Sequence, residues 1–253
     1  MMILILLGLA WTKTYAILAN TSKGYVNYRH AANLQLLYNI LVNKGVQEDC
    51  IVPLFFEDPI LNLRNPKPGI LDSCDAKYFK LQPVELTLDL LFNTLILQHN
   101  KFKYVSKDDS LLIYLCGHGN TNFLKICNRV FIFKNDLMRA LKHSSKRVGK
   151  ILMIIDTCKA ESLIDREKMP DNVYVMTTSK ENELSYSMEI DPILGVSKVD
   201  AAPYLLYKLI IEEVSNKIGL DELFEMMNKG QLNSKITYGG NRGFKLTDFL
   251  DSK

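Results

Sequence analysis

The sequence lacks any apolar run long enough to span a membrane, any CxxC or Cys/His cluster spaced for zinc, and any long basic stretch. The 31 Lys and Arg against 28 Asp and Glu leave a formal charge of only +3, which is too weak to indicate a nucleic-acid partner. With 47% hydrophobic residues, the 253-residue chain is not of a disordered, collagenous or coiled-coil class. We therefore predict a folded protein without a cofactor and without a nucleic-acid partner.

A short apolar segment, ILILLGLA, opens the chain at residues 3–10. It is far shorter than the roughly 18 to 20 residues that a membrane span needs, and it ends in the small residues that a signal peptidase prefers. We predict a secretory signal over residues 1–10, cleaved near Ala10, followed by one domain over residues 11–253. A buried first strand is the alternative, because no basic residue precedes the apolar run.

The cysteines number five, an odd count that predicts at least one free thiol in a secretory compartment. Cys50 and Cys74 are candidates for a bridge, but the sequence does not decide whether they are paired. Cys116 lies inside an apolar run and is predicted to be inert core. Cys158, in contrast, follows an apolar run directly.

Short apolar runs alternate with segments of helical period. Strands are predicted at residues 15–19, 51–56, 110–116, 151–155, 173–177 and 235–238, with a hairpin over 123–133 that turns at 128–129. Helices are predicted at residues 31–42, 84–97, 135–144, 201–213 and 220–228, with Asn135 as the cap of the third. Because several strands are apolar at nearly every position, both of their faces should be covered. The pattern predicts a single α/β domain with a mostly parallel sheet and helices on both faces.

Reactive side chains follow two of these strands. Gly117, His118 and Gly119 come after strand 110–116, and Asp156, Thr157 and Cys158 come at the end of strand 151–155. The carboxyl ends of parallel strands are where reactive groups gather, so neighbouring strands would bring His118 and Cys158 together. A thiolate nucleophile beside an imidazole that transfers protons is the arrangement of cysteine catalysis. Taken singly, each residue is more typical of a structural role, and only the two together make catalysis an equal alternative.

Backbone and polar groups near this pair complete the predicted site. The amides of Gly119 and Cys158 are candidate oxyanion donors. The polar segment 20–30 leaves the first strand and opens the first helix. Within it, Asn27 is placed to orient His118, and Arg29 or His30 to contact a substrate; capping of the helix is the alternative role for Asn27.

Several strings in the chain resemble a known family. They are LANTSKGYVNYRHAAN at residues 18–33, NPKPG at 65–69, LLIYLCGHGNTNFLK at 111–125, IIDTCKAESL at 154–163 and SYSMEIDPILGVSKVD at 185–200. In this order they are similar to the catalytic subunits of GPI-anchor transamidases, within the legumain-like cysteine peptidases, and the likeness runs from about residue 15 to 249. Legumain itself is less similar, because it has Glu-Ala-Cys in place of residues 156–158.

The resemblance implies a caspase-like fold with Cys158 as nucleophile, His118 as catalytic imidazole and Asn27 as the supporting polar residue. Asp156 and Ser185 join the residues implied to line the substrate site. The implied reaction cleaves the C-terminal signal of a secreted precursor, leaves a thioester and transfers the acyl group to the ethanolamine amine of a GPI glycolipid. The implied location is the lumenal side of the endoplasmic reticulum, in a membrane-bound complex with other subunits.

Two departures from the family pattern concern assembly and metal binding. Leu61 occupies the place of a cysteine that relatives use for a disulfide with a partner subunit. The acidic stretch that binds calcium in relatives is poorly matched at residues 75–80, where Lys77 and Lys80 intrude, and only Glu48 and Asp75 remain as candidates. We therefore predict no metal site.

Two other functions stay open on the sequence. The first is a legumain-like endopeptidase that hydrolyses peptides with the same Cys–His pair. The second is a non-catalytic interaction module that keeps the fold, with Asp156 and His118 bonded only to one another.

Overall fold

The structure, a computed structural model, describes residues 12–74, 76–241 and 243–250. The predicted signal segment and Asp75 lie outside the described residues. The helices are α1 (Tyr28–Asn43), α2 (Leu88–Leu95), α3 (Lys134–Ser144), α4 (Ala201–Lys208), which continues into a wider turn over Leu209–Glu213, α5 (Leu220–Lys229) and α6 (Thr247–Leu250).

A six-stranded sheet forms the centre of the molecule. Its strands are β1 (Thr14–Asn20), β2 (Ile51–Phe55), β3 (Ser110–Cys116), β7 (Lys150–Asp156), β8 (Val173–Thr177) and β11 (Thr237–Gly240). They lie in the order β11-β8-β7-β3-β1-β2, and within this sheet only the edge strand β11 runs antiparallel to its neighbour. Two small sheets add β4 (Gly119–Asn120), β5 (Phe123–Ile126) and β6 (Val130–Phe133), and the pair β9 (Ile190–Asp191) and β10 (Val196–Ser197).

Each face of the central sheet carries its own apolar core. Alternate residues of β1 and β3 point to opposite faces, as the period of a strand requires. Leu18 and Tyr114 face the core packed by α1, α4, α5 and α6, and Ile17 and Ile113 face the core packed by α2 and α3. The fully apolar strands therefore reflect two-sided burial, and the predicted α/β architecture is confirmed.

The strand order places the ends of β1, β3 and β7 at one edge of the sheet. The chain passes from β1 to β2 on one side, and β3 then inserts on the other side of β1. Asn20 lies opposite Cys116, and Cys116 lies opposite Asp156. The segments that leave these three strands therefore meet beyond their carboxyl ends, which is where ligands bind in open parallel sheets.

Most predicted elements are present, and the differences lie at their ends. The first helix begins at Tyr28 instead of residue 31. The second helix begins at Leu88 instead of residue 84, because the Thr87 hydroxyl caps it by accepting from Leu90 N at 3.1 Å. Asn135 is not the cap of α3: the Asp136 carboxylate instead accepts from Phe133 N at 3.3 Å. The last strand is shifted to Thr237–Gly240.

Cys50 has a free thiol, so it forms no bridge to Cys74, and Cys116, Cys127 and Cys158 also have free thiols. Cys116 is fully buried, and its burial raises the pKa of the thiol well above its ordinary value, so it stays protonated as the sequence predicted for inert core. Over the part of the chain that the structure describes, no helix combines the length and the apolar character that a membrane crossing requires.

Candidate active site

His118 and Cys158 leave neighbouring strands at matching heights. Because β3 and β7 pair with Cys116 opposite Asp156, His118 and Cys158 each lie two residues beyond a matched pair. The two loops are bonded together: Gly117 N donates to Asp156 O at 3.2 Å, and Thr157 Oγ1 donates to Gly117 O at 2.8 Å. The structure thus places the imidazole and the thiol in adjoining loops at one sheet edge.

Gly119 fits this junction because it has no side chain. A Cβ atom at this position would lie 2.5 Å from Thr157 Oγ1 and 3.1 Å from the Cys158 carbonyl oxygen. The first distance is shorter than real Cβ contacts show, and the second would require the Cys158 backbone to move by a few tenths of an ångström. The loop that carries His118 therefore rests directly on the loop that carries Cys158.

Asn27 fixes the tautomer of His118. Asn27 Nδ2 donates to the Lys23 carbonyl oxygen at 2.8 Å, which leaves Asn27 Oδ1 facing His118 Nε2 at 2.7 Å. An amide oxygen only accepts, so Nε2 must carry the proton. His118 Nδ1 is then the unprotonated nitrogen that can accept a proton from a thiol. Asn27 stands at the N-cap position of α1, yet its side chain makes no capping hydrogen bond.

The surroundings of His118 favour the neutral imidazole. Desolvation by the surrounding protein lowers the pKa of His118, and the charges of Arg29 and Lys125 lower it further. The ring also packs edge-on against His30, with 5.2 Å between ring centroids. At neutral pH His118 is therefore available as a proton acceptor.

Cys158 lies half-buried between the sheet edge and the segment around Ser185. Its sulfur is 3.9 Å from the Ser185 carbonyl oxygen. The next residue, Lys159, has a left-handed backbone with φ of 54°, which non-glycine residues adopt rarely and mostly at sites where the chain must turn sharply. The turn follows Cys158 directly, two residues after the end of β7.

The Gly119 N–H makes no hydrogen bond to the neighbouring strand of its small sheet. Gly119 pairs with Leu124, and Lys125 N donates to His118 O at 2.8 Å, which makes this a non-hydrogen-bonded pair of the ladder. The Gly119 N–H is therefore not used by strand pairing. Since Gly119 lies against the Cys158 backbone, its N–H stays a candidate oxyanion donor, as the sequence predicts.

The Asp156 carboxyl is not hydrogen-bonded to His118 and instead binds neighbouring hydroxyl groups. It is 2% exposed, and its carboxyl accepts hydrogen bonds from Tyr114 at 2.8 Å, Thr178 at 2.9 Å and Ser185 at 3.4 Å. The non-catalytic interpretation required a hydrogen bond between Asp156 and His118, and these two side chains bind other partners. Asp156 connects β7 to the segment that faces the Cys158 sulfur.

Arg29 and His30 converge on a carboxyl group that the sequence did not reveal as part of the site, that of Asp200. Arg29 Nε lies 3.0 Å from Asp200 Oδ1, and His30 Nε2 lies 3.6 Å from Asp200 Oδ2. Burial lowers the pKa of His30 well below its ordinary value, with the Arg29 charge adding to this, so His30 is neutral. Its Nδ1 lies 2.8 Å from Ser22 Oγ.

Asp200 and Asn33 are the polar residues that sequence reasoning missed. Asp200 directly precedes α4, so the sequence signals only a helix cap, yet its side chain makes no capping bond. Asn33 lies within α1, where a polar residue is usually exposed, but it is fully buried. Both residues lie at the ends of strings that resemble the family, at residues 18–33 and 185–200. A further signal is the hydroxyl of Tyr114 inside an otherwise apolar strand, since a buried hydroxyl needs a polar partner.

The architecture is that of the caspases. Caspase-1 from Spodoptera frugiperda superimposes with a TM-score of 0.57, covering 93% of this chain and 90% of that one, at 9% sequence identity. At this identity the likeness concerns the fold alone. Together with the Cys158 and His118 loops, it defines the class: a cysteine-dependent enzyme with a caspase-like fold.

The family follows from the sequence itself. The chain belongs to the peptidase C13 family, whose model matches residues 14–205. It is 30% identical over 238 residues to the proteins named GPI-anchor transamidase of Mus musculus and Homo sapiens, covering 86% of this chain. The Saccharomyces cerevisiae protein of the same name is 27% identical over 243 residues. The chain spans about 60% of the length of these relatives.

Proposed function

We propose that this chain is the catalytic subunit of a GPI-anchor transamidase. The similarity to proteins of that name over 86% of the chain carries the proposal. The peptidase C13 model, which matches residues 14–205, spans every residue of the predicted site. Cys158 acts as nucleophile, His118 as acid and base, and Asn27 holds the His118 ring. Gly119 and Cys158 supply the oxyanion amides, while Arg29, His30, Asp156 and Ser185 shape the substrate site.

The first half of the reaction is acyl transfer to sulfur. Cys158 Sγ attacks the carbonyl carbon at the cleavage site of a precursor, and its proton passes to His118 Nδ1. The oxyanion that forms is bound by the Gly119 and Cys158 amides, each worth about 10²–10³ in turnover. The C–N bond then breaks, the proton passes from His118 to the leaving nitrogen, and a thioester remains on Cys158.

The second half transfers the acyl group to an amine. The ethanolamine nitrogen of the GPI glycolipid attacks the thioester carbonyl and gives its proton to His118. The C–S bond breaks, and the Cys158 thiol recovers that proton. An amide is formed for the amide that was broken, so no oxidant or metal enters the balance.

Exclusion of water is what separates this transfer from hydrolysis. His118 is exposed in this chain by itself, so the cover over the thioester would come from the bound precursor, the glycolipid or partner subunits. The proposed assembly into a membrane-bound complex would provide this cover. The proposed location is the lumenal side of the endoplasmic reticulum, with partner subunits holding the chain at the membrane.

The test is acyl transfer from a model peptide with and without hydroxylamine. The peptide carries a small residue at the cleavage site, a polar spacer and an apolar tail. The purified complex is expected to give the hydroxamate and little free acid. Cys158→Ala is expected to abolish both products, whereas Cys50→Ala, which removes a buried thiol elsewhere, is expected to leave them.

Two outcomes would contradict the proposal. Efficient hydrolysis with no amine adduct would make the protein an endopeptidase. Complementation of a transamidase-deficient cell by Cys158→Ala would exclude a catalytic role altogether.

A further inference from the structure

A buried pair of carboxyl groups lies beneath the proposed substrate site, and one side chain joins them. Asn33 Nδ2 donates to Asp200 Oδ2 at 2.5 Å and to Asp156 Oδ2 at 3.4 Å. Asn33 Oδ1 accepts from the Asp200 backbone N–H at 2.9 Å. Asn33 is fully buried, and every polar atom of its amide is used.

The two carboxyls hold groups on either flank of the site. Asp200 binds Arg29 Nε at 3.0 Å, and Asp156 binds the Ser185 hydroxyl at 3.4 Å. Ser185 is also the residue whose carbonyl oxygen faces the Cys158 sulfur. Asn33 is thus one side chain away from both Arg29 and Ser185, without reaching the reacting atoms itself.

An asparagine amide suits this position for a chemical reason. Its nitrogen has two hydrogens, so it can donate to both carboxyls at once, and its oxygen accepts the Asp200 N–H. Aspartate at position 33 would add a third negative charge to the cluster. Serine would keep an acceptor for the Asp200 N–H but would donate to one carboxyl only.

We propose that Asn33 is a positioning residue for substrate binding, which fixes Arg29 and Ser185 at the site by bridging the carboxyl groups of Asp200 and Asp156. This rests on the proposed function, in which Arg29 and Ser185 contact the precursor. The bridge makes binding depend on ionisation of the pair, because a protonated Asp200 holds Arg29 less firmly.

The titration of this pair has a defined direction. Burial raises the pKa of Asp200 to about 7, and the neighbouring Asp156 charge adds to this, while Arg29 and Asn33 oppose it. Burial also raises the pKa of Asp156. Loss of the Asn33 amide therefore raises the pKa of Asp200 further.

The other titratable groups facing the pair come from α1 and β3. They are Arg29 and His30 from α1 and Tyr114 and Cys116 from β3. The pKa of His30 is held well below its ordinary value, and those of Tyr114 and Cys116 well above theirs. Among the groups that face the pair, a step near pH 7 therefore belongs to the carboxyls, whereas the catalytic His118, whose pKa is lowered from 6.5, titrates at lower pH.

Asn39 provides a matched control on the same helix. It is also buried, its Nδ2 donates to Lys77 O at 2.5 Å, and its Oδ1 accepts from Lys77 N at 3.0 Å. Like Asn33 it ties α1 to a distant backbone segment, but it contacts no residue of the site. Asn39→Ala should therefore cost comparable stability without changing substrate binding.

The experiment measures kcat, KM and the pH profile of amine transfer by the complex. Asn33→Ala is expected to raise KM by about tenfold or more with kcat changed less, and to move the acidic limb of kcat/KM upward by about one pH unit. Asn33→Asp should be worse than Asn33→Ala. Asn33→Ser, which keeps the Asp200 N–H acceptor, should fold if Asn33→Ala does not and show a smaller shift in the same direction.

The outcomes separate this inference from the proposed function. If the wild-type complex forms no amine adduct, the proposed function is wrong and the inference falls with it. If the wild type is active but Asn33→Ala or Asn33→Ser matches Asn39→Ala in KM and in the acidic limb, Asn33 is only structural and the inference alone is overturned.

Discussion

The Asn27 side chain lies at the N-cap position of α1, but it contacts His118 instead of capping the helix. It stands where a helix cap is expected, and the sequence left capping and orientation of His118 equally open. In the structure its amide is held by Lys23 O and faces His118 Nε2, and α1 begins without a side-chain cap. The proposed role of Asn27 therefore predicts an effect on chemistry that exceeds its effect on folding.

Asn27→Ala is expected to lower kcat by about 10²-fold or more, because His118 loses the bond that selects its tautomer and orientation. The melting temperature should change little. Turnover per folded molecule and thermal unfolding, measured on the same preparation, check this. A large fall in melting temperature with normal turnover would instead assign Asn27 to the helix end.

Arg29→Gln is expected to raise the pKa of His118 and of His30. The Arg29 charge lowers the pKa of both rings, so its removal stabilises both imidazolium forms. Histidine NMR titration measures the two values, with His99 and His143, in other elements, as internal controls. Unchanged His118 and His30 titrations would show that Arg29 does not act on the rings.

The central strands were predictable, whereas the ends of several helices were not. Strands β3 and β8 have the predicted bounds. Residues on both faces of these strands are buried, so the run of apolar residues stops where the strand stops. Residues 84–87 are apolar enough to extend α2, but Val84 N donates to Phe55 O and holds this stretch in an extended form. That contact joins segments 29 residues apart, and helical periodicity carries no information about it.

The contact between the β3 and β7 loops is tested by adding one methyl group. Gly119→Ala is expected to reduce turnover by about tenfold or more, since its Cβ would overlap Thr157 and press on the Cys158 carbonyl. The fold should survive, because the change lies outside both cores. Gly219→Ala is the matched control, as a Cβ there meets nothing within 4 Å and the backbone needs no left-handed conformation.

Near-wild-type turnover of Gly119→Ala would mean that the two loops move independently. Equal losses in Gly119→Ala and Gly219→Ala would trace the defect to general destabilisation. Circular dichroism and melting temperature of both variants distinguish these outcomes.

The carboxyl pair of Asp156 and Asp200 depends on the whole fold, because β7, the start of α4 and the bridging Asn33 of α1 must all come together to form it. Asn33 is 123 residues from Asp156 and 167 residues from Asp200. Asp156, two residues before Cys158, was assigned to the site through the family resemblance. Asp200 ends one of the strings that carry the resemblance, but its contact with Asn33 and Arg29 was not predicted, because a contact across that separation depends on the finished fold.

Asp200 is expected to make global stability fall as pH rises. Its pKa is about 7 in the folded chain against an ordinary value of 3.8, so the folded state binds more protons than the unfolded state between those pH values. This contribution is fully present below pH 3.8 and is lost as pH rises through about 7. Asp200→Asn should remove the part of the dependence that comes from Asp200, while Asp156 keeps the Arg29 charge nearby.

The measurement is the melting temperature of wild type and Asp200→Asn from pH 4 to pH 8. The difference between the two should shift in favour of the variant as pH rises. A difference that stays constant over this range would show that Asp200 is ionised throughout.

The most direct test of the account is the reactivity of Cys158 with and without His118. A peptidyl electrophile with a small residue at its reactive end is mixed with wild type and His118→Ala, and the modified cysteine is located by peptide mass spectrometry. The account predicts that Cys158 is labelled ahead of the other four cysteines and that His118→Ala slows this labelling by about 10²-fold or more. Equal rates in the two proteins, or label placed on another cysteine, would contradict it.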